Sequence, residues 1–267
     1  METTYWHRQT DKALFPELEW NKPERRDQAG KVLVVGGDMH NLAAPASAFE
    51  ILKQTGVGNI KLALPDKTKK FVGKTLPEAL FLPSTTSGEF SIDGEVELLD
   101  QAMWADALLL PGDNGRNSQT TILFSDILQA YKDQITLTRD AVDILSNNPA
   151  ELFEREHTTL IVSFAQLQKL MKNYGESTPL TFVMDLVKFV EFLHVFTQHK
   201  AVSIVTLHQN QLVVASRGKV STTKSQMNEK AQWRLKAAVN SICYQVWNPE
   251  RSFEALTHAC FEVTKSA

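Results

Sequence analysis

The chain reads as an α/β protein with a mainly parallel central sheet and helices on both faces. Three observations carry this reading. Residues 32–35 and 107–110 are apolar at every position, and an unalternating run of strand length suits a parallel strand buried on both faces. Segments of helical length and period lie between such runs, which is the alternation of βαβ units. Glycines follow directly after the strands, at Gly36-Gly37 and at Gly112, where open α/β sheets place their ligands. With 267 residues and no repeat, low-complexity tract or composition break, a single domain over 1–267 is expected.

In order along the chain, residues 1–29 are polar and aromatic without clear period. They predict a short helix and an N-terminal arm over the domain. The strand at 32–35 turns at Gly36-Gly37, where glycine permits a sharp backbone turn. Pro45 suits the first turn of a helix through Ala48, Phe49 and Leu52, which Gly56 ends in a left-handed cap. Residues 60–64 form the next strand. The segment 75–80 is a loop with a short helical turn, and Ser87-Gly88 and Asp93-Gly94 mark turns. A helix over 95–103 leads to the strand at 107–110 and a second glycine loop, Gly112-Asp113-Asn114-Gly115-Arg116.

A helix over 120–131 presents Ile122, Leu123, Ile127 and Leu128 on one face. A strand at 134–138, a short helix at 141–145, a strand at 159–162 and a helix at 164–171 follow. A long helix over 180–198 has the apolar face Val183, Leu186, Val187, Val190 and Leu193. Residues 202–207 and 211–216 form a hairpin around His208-Gln209-Asn210, and helices over 229–246 and 251–263 complete the chain.

Bulk properties exclude several classes. A formal net charge of -3, with no long Lys/Arg cluster, offers no partner for a nucleic-acid backbone. Only Cys243 and Cys260 occur, without Cys-x-x-Cys spacing, which points to reduced packing residues of a cytoplasmic protein. The first seven residues hold no apolar signal region. The most apolar segment, 180–196, carries Asp185, Lys188, Glu191 and His194, against a membrane span. No His, Cys or carboxylate set has metal-ligand spacing, so no metal is expected.

Several local sequences, in the right order over roughly residues 15–263, resemble the ADP/ATP-dependent NAD(P)H-hydrate dehydratase family. They are Asn21-Lys22 before the first strand, Ala43-Ala44-Pro45, Thr55-Gly56-Val57-Gly58, Leu76-Pro77-Glu78-Ala79, Ala105-Asp106-Ala107 with Pro111-Gly112, and Asp140-Ala141-Val142. The resemblance implies a ribokinase-like three-layer sandwich, and ADP or ATP as cofactor. In that family a nucleotide phosphate activates the hydroxyl of a hydrated nicotinamide cofactor for elimination. The catalytic part is a Gly-x-Gly-Asp at a helix N-terminus, where backbone N–H groups hold phosphate and the Asp acts as base. A homo-oligomer is likewise implied by the resemblance alone.

The sequence departs from the family where the chemistry belongs. Lys230-Ala231-Gln232-Trp233 stands at the Gly-x-Gly-Asp position. No Asp follows Asp185, and the only glycine after Gly175 is Gly218, so no register restores the motif. The Thr-Pro-His-x-Gly-Glu motif is absent near Val162-Ser163-Phe164-Ala165-Gln166, the Leu-Lys-Gly strand end has become Leu207-His208-Gln209, and Thr138 replaces the first Asp of Asp-Ala-Asp-Ala-Leu.

The candidate pocket for a substrate or cofactor is therefore Gly36, Gly37, Ala44, Gly112, Asp113 and Asp140, all at strand ends or at the helix start that follows. Ala44 and Gly112 stand where the family's small residues line a nicotinamide pocket. No catalytic residue is assigned. Asp113 and Asp140 are the remaining carboxylates that a relocated base would use, although Asp at such positions commonly serves turns and caps. Arg116 and Lys74 are the loop cations within reach of a phosphate. Two functions compete: a diverged, catalytically inactive dehydratase-like protein that keeps a nucleotide- or nicotinamide-type pocket, and an active dehydratase or small-molecule kinase with a relocated base.

Overall fold

The computed structural model describes residues 4–226 and 233–265. Its strands are β1 (Trp6–Gln9), β2 (Lys31–Val35), β3 (Asn59–Pro65), β4 (Leu80–Leu82), β5 (Ala107–Leu110), β6 (Gln134–Thr138), β7 (Thr158–Val162), β8 (Ser203–His208), β9 (Gln211–Ser216) and β10 (Lys219–Lys224). They form one sheet in the order β1-β10-β9-β8-β7-β6-β5-β2-β3-β4. Every neighbouring pair is parallel except β8 with β9 and β9 with β10. The helices are α1 (Ala43–Thr55), α2 (Lys69–Val72), α3 (Glu95–Trp104), α4 (Ser118–Ala130), α5 (Asp140–Leu145), α6 (Pro149–Glu154), α7 (Phe164–Tyr174), α8 (Leu186–Gln198), α9 (Trp233–Trp247) and α10 (Ser252–Lys265).

The unalternating strands have a direct cause. In β2, Leu33 and Val35 point into a core shared with α3 to α8, while Val32 and Val34 point into a second core under α1, α9 and α10. In β5, Leu108 and Leu110 join the first core and Ala107 and Leu109 the second. Side chains alternate across a strand, so a sheet covered twice needs apolar residues at both phases. Each such Val or Leu, fully withdrawn from water, contributes roughly 1.5–3 kcal/mol. The fold is thus the expected three-layer α/β arrangement, with β2 directly beside β5.

Several local expectations need correction. Residues 1–29 are more than an arm: β1 adds a parallel edge strand to β10, and two short 3-10 turns, Pro16–Glu19 and Arg26–Gln28, stand in place of the helix. Trp6 and Gln9 anchor β1 by donating to the hydroxyls of Thr222 and Thr223 at 3.1 and 2.9 Å. The hairpin gains a third strand, β10. The segment predicted as a loop ends in a short strand, β4, and α6 forms behind Pro149, which occupies its first turn. The helix predicted from residue 180 begins at Leu186, because Asp185 is its N-cap and accepts from the Lys188 N–H at 2.9 Å. Its buried face is Phe189, Val190, Leu193 and Phe196, whereas Val183 and Val187 are exposed. In α4 the exposed Ile122 yields its place in the core to Phe124. The helix expected over 229–246 is described from Trp233; its earlier residues lie outside the described ones.

A candidate ligand cleft at the carboxyl edge of the sheet

The two glycine turns predicted from the sequence meet at the carboxyl ends of β2 and β5. The Gly37 N–H donates to the Gly112 carbonyl at 3.3 Å. A Cβ on Gly36 would stand 2.8 Å from that same carbonyl oxygen, closer than real Cβ atoms approach. Gly37 (φ 90°) and Gly112 (φ 110°) both lie in the left-handed region, which glycine enters without steric cost. From Gly37 the chain runs to α1, whose first turn holds Ala44 and Pro45, both buried.

Around this junction the carboxylates are held from within. Asp113 is strongly buried and has φ 64°. Its Oδ2 accepts from the Ala44 N–H at 2.7 Å, in the first turn of α1, and its Oδ1 pairs with Arg139 Nη2 at 2.8 Å. Asp140 Oδ1 and Oδ2 accept from the backbone N–H groups of Asp113 and Asn114 at 2.7 and 2.8 Å. The neighbouring Asn114 side chain is fully buried, and neither polar atom has a partner.

Gln166 ties the other wall together. Its Nε2 donates to the Arg139 carbonyl at 2.7 Å and to Asp143 Oδ2 at 3.0 Å, and its Oε1 accepts from Arg234 Nη1 at 2.8 Å. Ser163 and Gln166 form a capping box at the start of α7, the reciprocal pairing that satisfies two orphan donors. The open cleft between these walls, about 530 Å³, is lined by Asp38, Asn41, Asp113, Gly115, Arg116, Arg139, Asp140, Asp143, Ser163, Gln166 and Arg234.

The structure therefore brings all six sequence-derived positions to one edge. Asp113 and Asp140 line the cleft itself, while Gly36, Gly37, Ala44 and Gly112 are buried behind it. Arg116 lines the rim, and Lys74 is not among the lining residues. Sequence reasoning missed Arg139, Asp143, Gln166 and Arg234. Ser163-x-x-Gln166 was legible as a capping signature; the others carry no local signal.

The positions that depart from the dehydratase motifs have structural occupations. The Thr138 hydroxyl donates to the Ile161 carbonyl at 2.7 Å, joining β6 to β7. Phe164 stacks on His208 with centroids 4.7 Å apart, and Phe189 packs against both. His208 Nε2 lies 2.7 Å from the Met184 carbonyl oxygen. Trp233 is 2% exposed and belongs to the core under α1, α9 and α10. Lys230, Ala231 and Gln232 lie outside the described residues. A second depression, at the opposite edge between the end of α9 and the start of α10, has exposed charged residues such as Arg217, Lys219 and Glu250 on its rim and buried polar groups that satisfy one another, as in Gln245 with Thr159 and Ser203 with Ser216. Among the described residues no group of three or more His, Cys, Asp or Glu is placed to hold a metal ion. No helix among them is long and apolar enough to cross a membrane.

No protein-family model matches the chain. A bifunctional NAD(P)H-hydrate repair enzyme of Dictyoglomus turgidum is 24% identical over 130 residues, which is 48% of this chain. The match spans only 25% of that relative's length. Among solved structures, a ribokinase-like superfamily protein of Enterococcus faecalis superposes with TM-score 0.73 at 13% identity, covering 99% of this chain and 88% of the other. The ADP/ATP-dependent NAD(P)H-hydrate dehydratase of Bacillus subtilis, co-crystallised with ATP and Mg2+, gives TM-score 0.64 at 16% identity over 95% of this chain and 87% of its own. The fold is ribokinase-like, as the resemblance implied.

Proposed function

We propose that this chain is a catalytically inactive, diverged relative of the NAD(P)H-hydrate dehydratases that keeps a pocket for a nucleotide- or nicotinamide-type small molecule. One observation carries the reading: no Asp follows Asp185 and no glycine follows Gly218. A hydroxyl is a poor leaving group and must be phosphorylated before it departs. That step needs a positioned base, typically worth on the order of 100- to 10,000-fold in rate. It also needs preorganised donors to the phosphate oxygens, each worth on the order of 100- to 1,000-fold. Lys230-Ala231-Gln232-Trp233, at the motif position, holds neither an acid nor a glycine.

An ADP or ATP phosphate does not fit the residues present at the motif's position. Close backbone approach to phosphate calls for glycine, and the residue standing for the motif's Asp is Trp233, a core residue. What favours a retained pocket is the other half of the site: the glycine junction, the cleft and its fixed polar groups. Two free, buried cysteines accord with a reducing compartment. Burial pushes the Cys260 thiol up to about 12, which makes it an inert packing group. Self-association belongs to the same reading by resemblance only.

The test is recovery of NADH absorbance from its hydrate in the presence of ADP or ATP. No turnover is expected. Clear turnover, abolished by Asp140→Ala or by substitution of Glu229, the acid directly before the motif position in sequence, with Ala, would establish a relocated base and an active enzyme instead. A thermal-shift screen with ADP, ATP, NADH, NADPH and nicotinamide tests the pocket separately, because a ligand that binds the native state raises its stability without turnover.

A further inference from the structure

The acceptors of the cleft are engaged within the chain, while part of its donor capacity is not. Four aspartates line it. Asp113 and Asp140 have the partners given above. Asp38 Oδ1 accepts from the N–H groups of His40 and Asn41 at 2.6 and 2.9 Å, and Asp143 Oδ2 accepts from Gln166 Nε2 at 3.0 Å. Among the described lining residues every one but Gly115 carries a polar side chain, and none is aromatic or aliphatic. Ligand sites for rings are lined mostly by apolar and aromatic side chains; a wall of this kind suits the most hydrated end of a ligand.

Three arginines from three parts of the chain share that lining. Arg116 follows β5, Arg139 stands between β6 and α5, and Arg234 lies in the first turn of α9. A guanidinium carries five donors. Arg116 is exposed, and among the described residues its guanidinium has no hydrogen-bond or ion-pair partner. Arg139 gives Nη2 to Asp113, and its side chain remains 35% exposed. The Arg139 backbone, at φ 56° and ψ -137°, is strained for a residue with a Cβ. Such conformations persist where the surroundings over-determine them, and they concentrate at functional sites such as ligand clamps. Here Gln166 supplies the constraint. It donates to the Arg139 carbonyl and accepts from Arg234 Nη1, so one side chain positions two of the three cations.

We propose that the cleft takes an oxyanion, the phosphoryl or carboxylate end of its ligand, on the side chains of Arg116, Arg139 and Arg234. Paired guanidinium N–H groups match the spacing of such oxygens and bind them bidentately. The donors differ from those of a Gly-x-Gly-Asp motif: side chains stand in for backbone N–H groups, and no base accompanies them, so binding is restored without catalysis. The inference rests on the reading of the cleft as a retained ligand pocket and names the end of the ligand that it holds; any ring lies beyond this lining. Charge opposes the site mildly. With Asp113 paired to Arg139, three aspartates remain against two arginines. The oxyanion is therefore held by directed hydrogen bonds, and its affinity responds to the removal of either sign.

The experiment is calorimetric titration of the full chain with inorganic pyrophosphate, with citrate, and with the uncharged adenosine and nicotinamide. At least one of the two anions should bind, and the tighter of them tells a phosphoryl ligand from a polycarboxylate. Arg116→Gln, at an exposed position that the fold does not depend on, should weaken that binding by about tenfold or more, the scale of one charge-assisted hydrogen bond. Lys172→Gln, an equal change of charge at an exposed position outside the cleft, should leave it unchanged. Asp143→Asn removes a neighbouring negative charge, keeps an acceptor for Gln166 and should tighten binding; a loss instead would count against the proposal. Binding of neither anion, or an Arg116→Gln variant that binds as tightly as the unmodified chain, would overturn it. Adenosine or nicotinamide binding without either anion would sink the arginine site and leave the pocket reading standing. Anion binding weakened by Arg116→Gln, with no binding of ADP, NADH or nicotinamide, would uphold the arginine site and remove the nucleotide reading instead.

Discussion

The half of the chain from β2 to α5 and the half from β7 to α9 share one sheet, yet the first keeps its junction glycines while the second fills motif positions with packing side chains. In the first, glycines stand where the backbone requires them. Gly36 meets a carbonyl, Gly37, Gly56 and Gly112 have left-handed φ, and a Cβ on Gly58 would sit 2.0 Å from the Arg26 carbonyl oxygen. In the second, Phe164, His208 and Trp233 stand at motif positions and pack. The contrast teaches that a fold depends on its backbone constraints more strictly than on its site chemistry. No other residue replaces a glycine in a tight junction, whereas a polar motif on the rim of a core can be exchanged for apolar packing that stabilises the same sheet.

The contrast is broken most severely at Trp233. If the second half uses the motif position for packing, Trp233→Ala should cost about 3–5 kcal/mol, the range for a fully buried aromatic, measured by urea unfolding. A loss below about 1 kcal/mol would mean that the position is not structural. Next comes the glycine junction. Gly112→Ala should cost about 2–3 kcal/mol, since its Cβ would lie 2.4 Å from Asp140 Oδ1 at φ 110°; a stabilised variant would contradict the claim of backbone constraint. Asp140→Ala leaves the Asp113 and Asn114 N–H groups without their acceptor and should cost about 2 kcal/mol, by the same measurement.

The smallest effect concerns a group in neither motif set. His258 in α10 is buried, with no hydrogen-bond partner for either ring nitrogen. Burial lowers its affinity for a proton and Lys265 adds to this, while Glu262, Glu19 and Glu17 oppose it. The unfolded chain therefore takes up the proton first, near its ordinary value of about 6.5. The contribution to stability is unchanged above that pH and is lost as pH falls below it. Urea midpoints between pH 7.5 and 5.5 should decline less in His258→Leu than in the unmodified chain. Equal slopes would assign the acid sensitivity elsewhere, His7 being the other histidine held low by burial.

How much of this was legible follows from where each residue sits. β2 and β5 announce themselves because both faces are buried. β1, Trp-His-Arg-Gln, and β10, Lys-Val-Ser-Thr-Thr-Lys, do not, because their ladder is held partly by Thr hydroxyls that read as loop chemistry. The start of α8 was misplaced because apolar residues run past the Asp185 cap. In the cleft, Asp113 and Asp140 were found from strand ends. The partners that hold the cleft's polar groups were not: Arg139 stands 26 positions from Asp113, and Arg234 stands 68 from Gln166. Long-range pairing of that kind leaves no periodicity to read.

The parallel pairing of β1 with β10 has a consequence for the timing of assembly. Gln9 meets Thr223 across 214 positions of sequence. At ribosomal speeds of about 5–20 residues per second, the first of these strands waits on the order of 10–40 s before its partner exists. Throughout that interval the sheet lacks its border, and once β10 has formed without β1 it offers an open row of backbone groups to any passing strand. A chain stripped of residues 4–10 would be fixed permanently in that state. Its yield from refolding should then fall with protein concentration, as a second-order side reaction does, while the full chain refolds with a yield less dependent on how much is present.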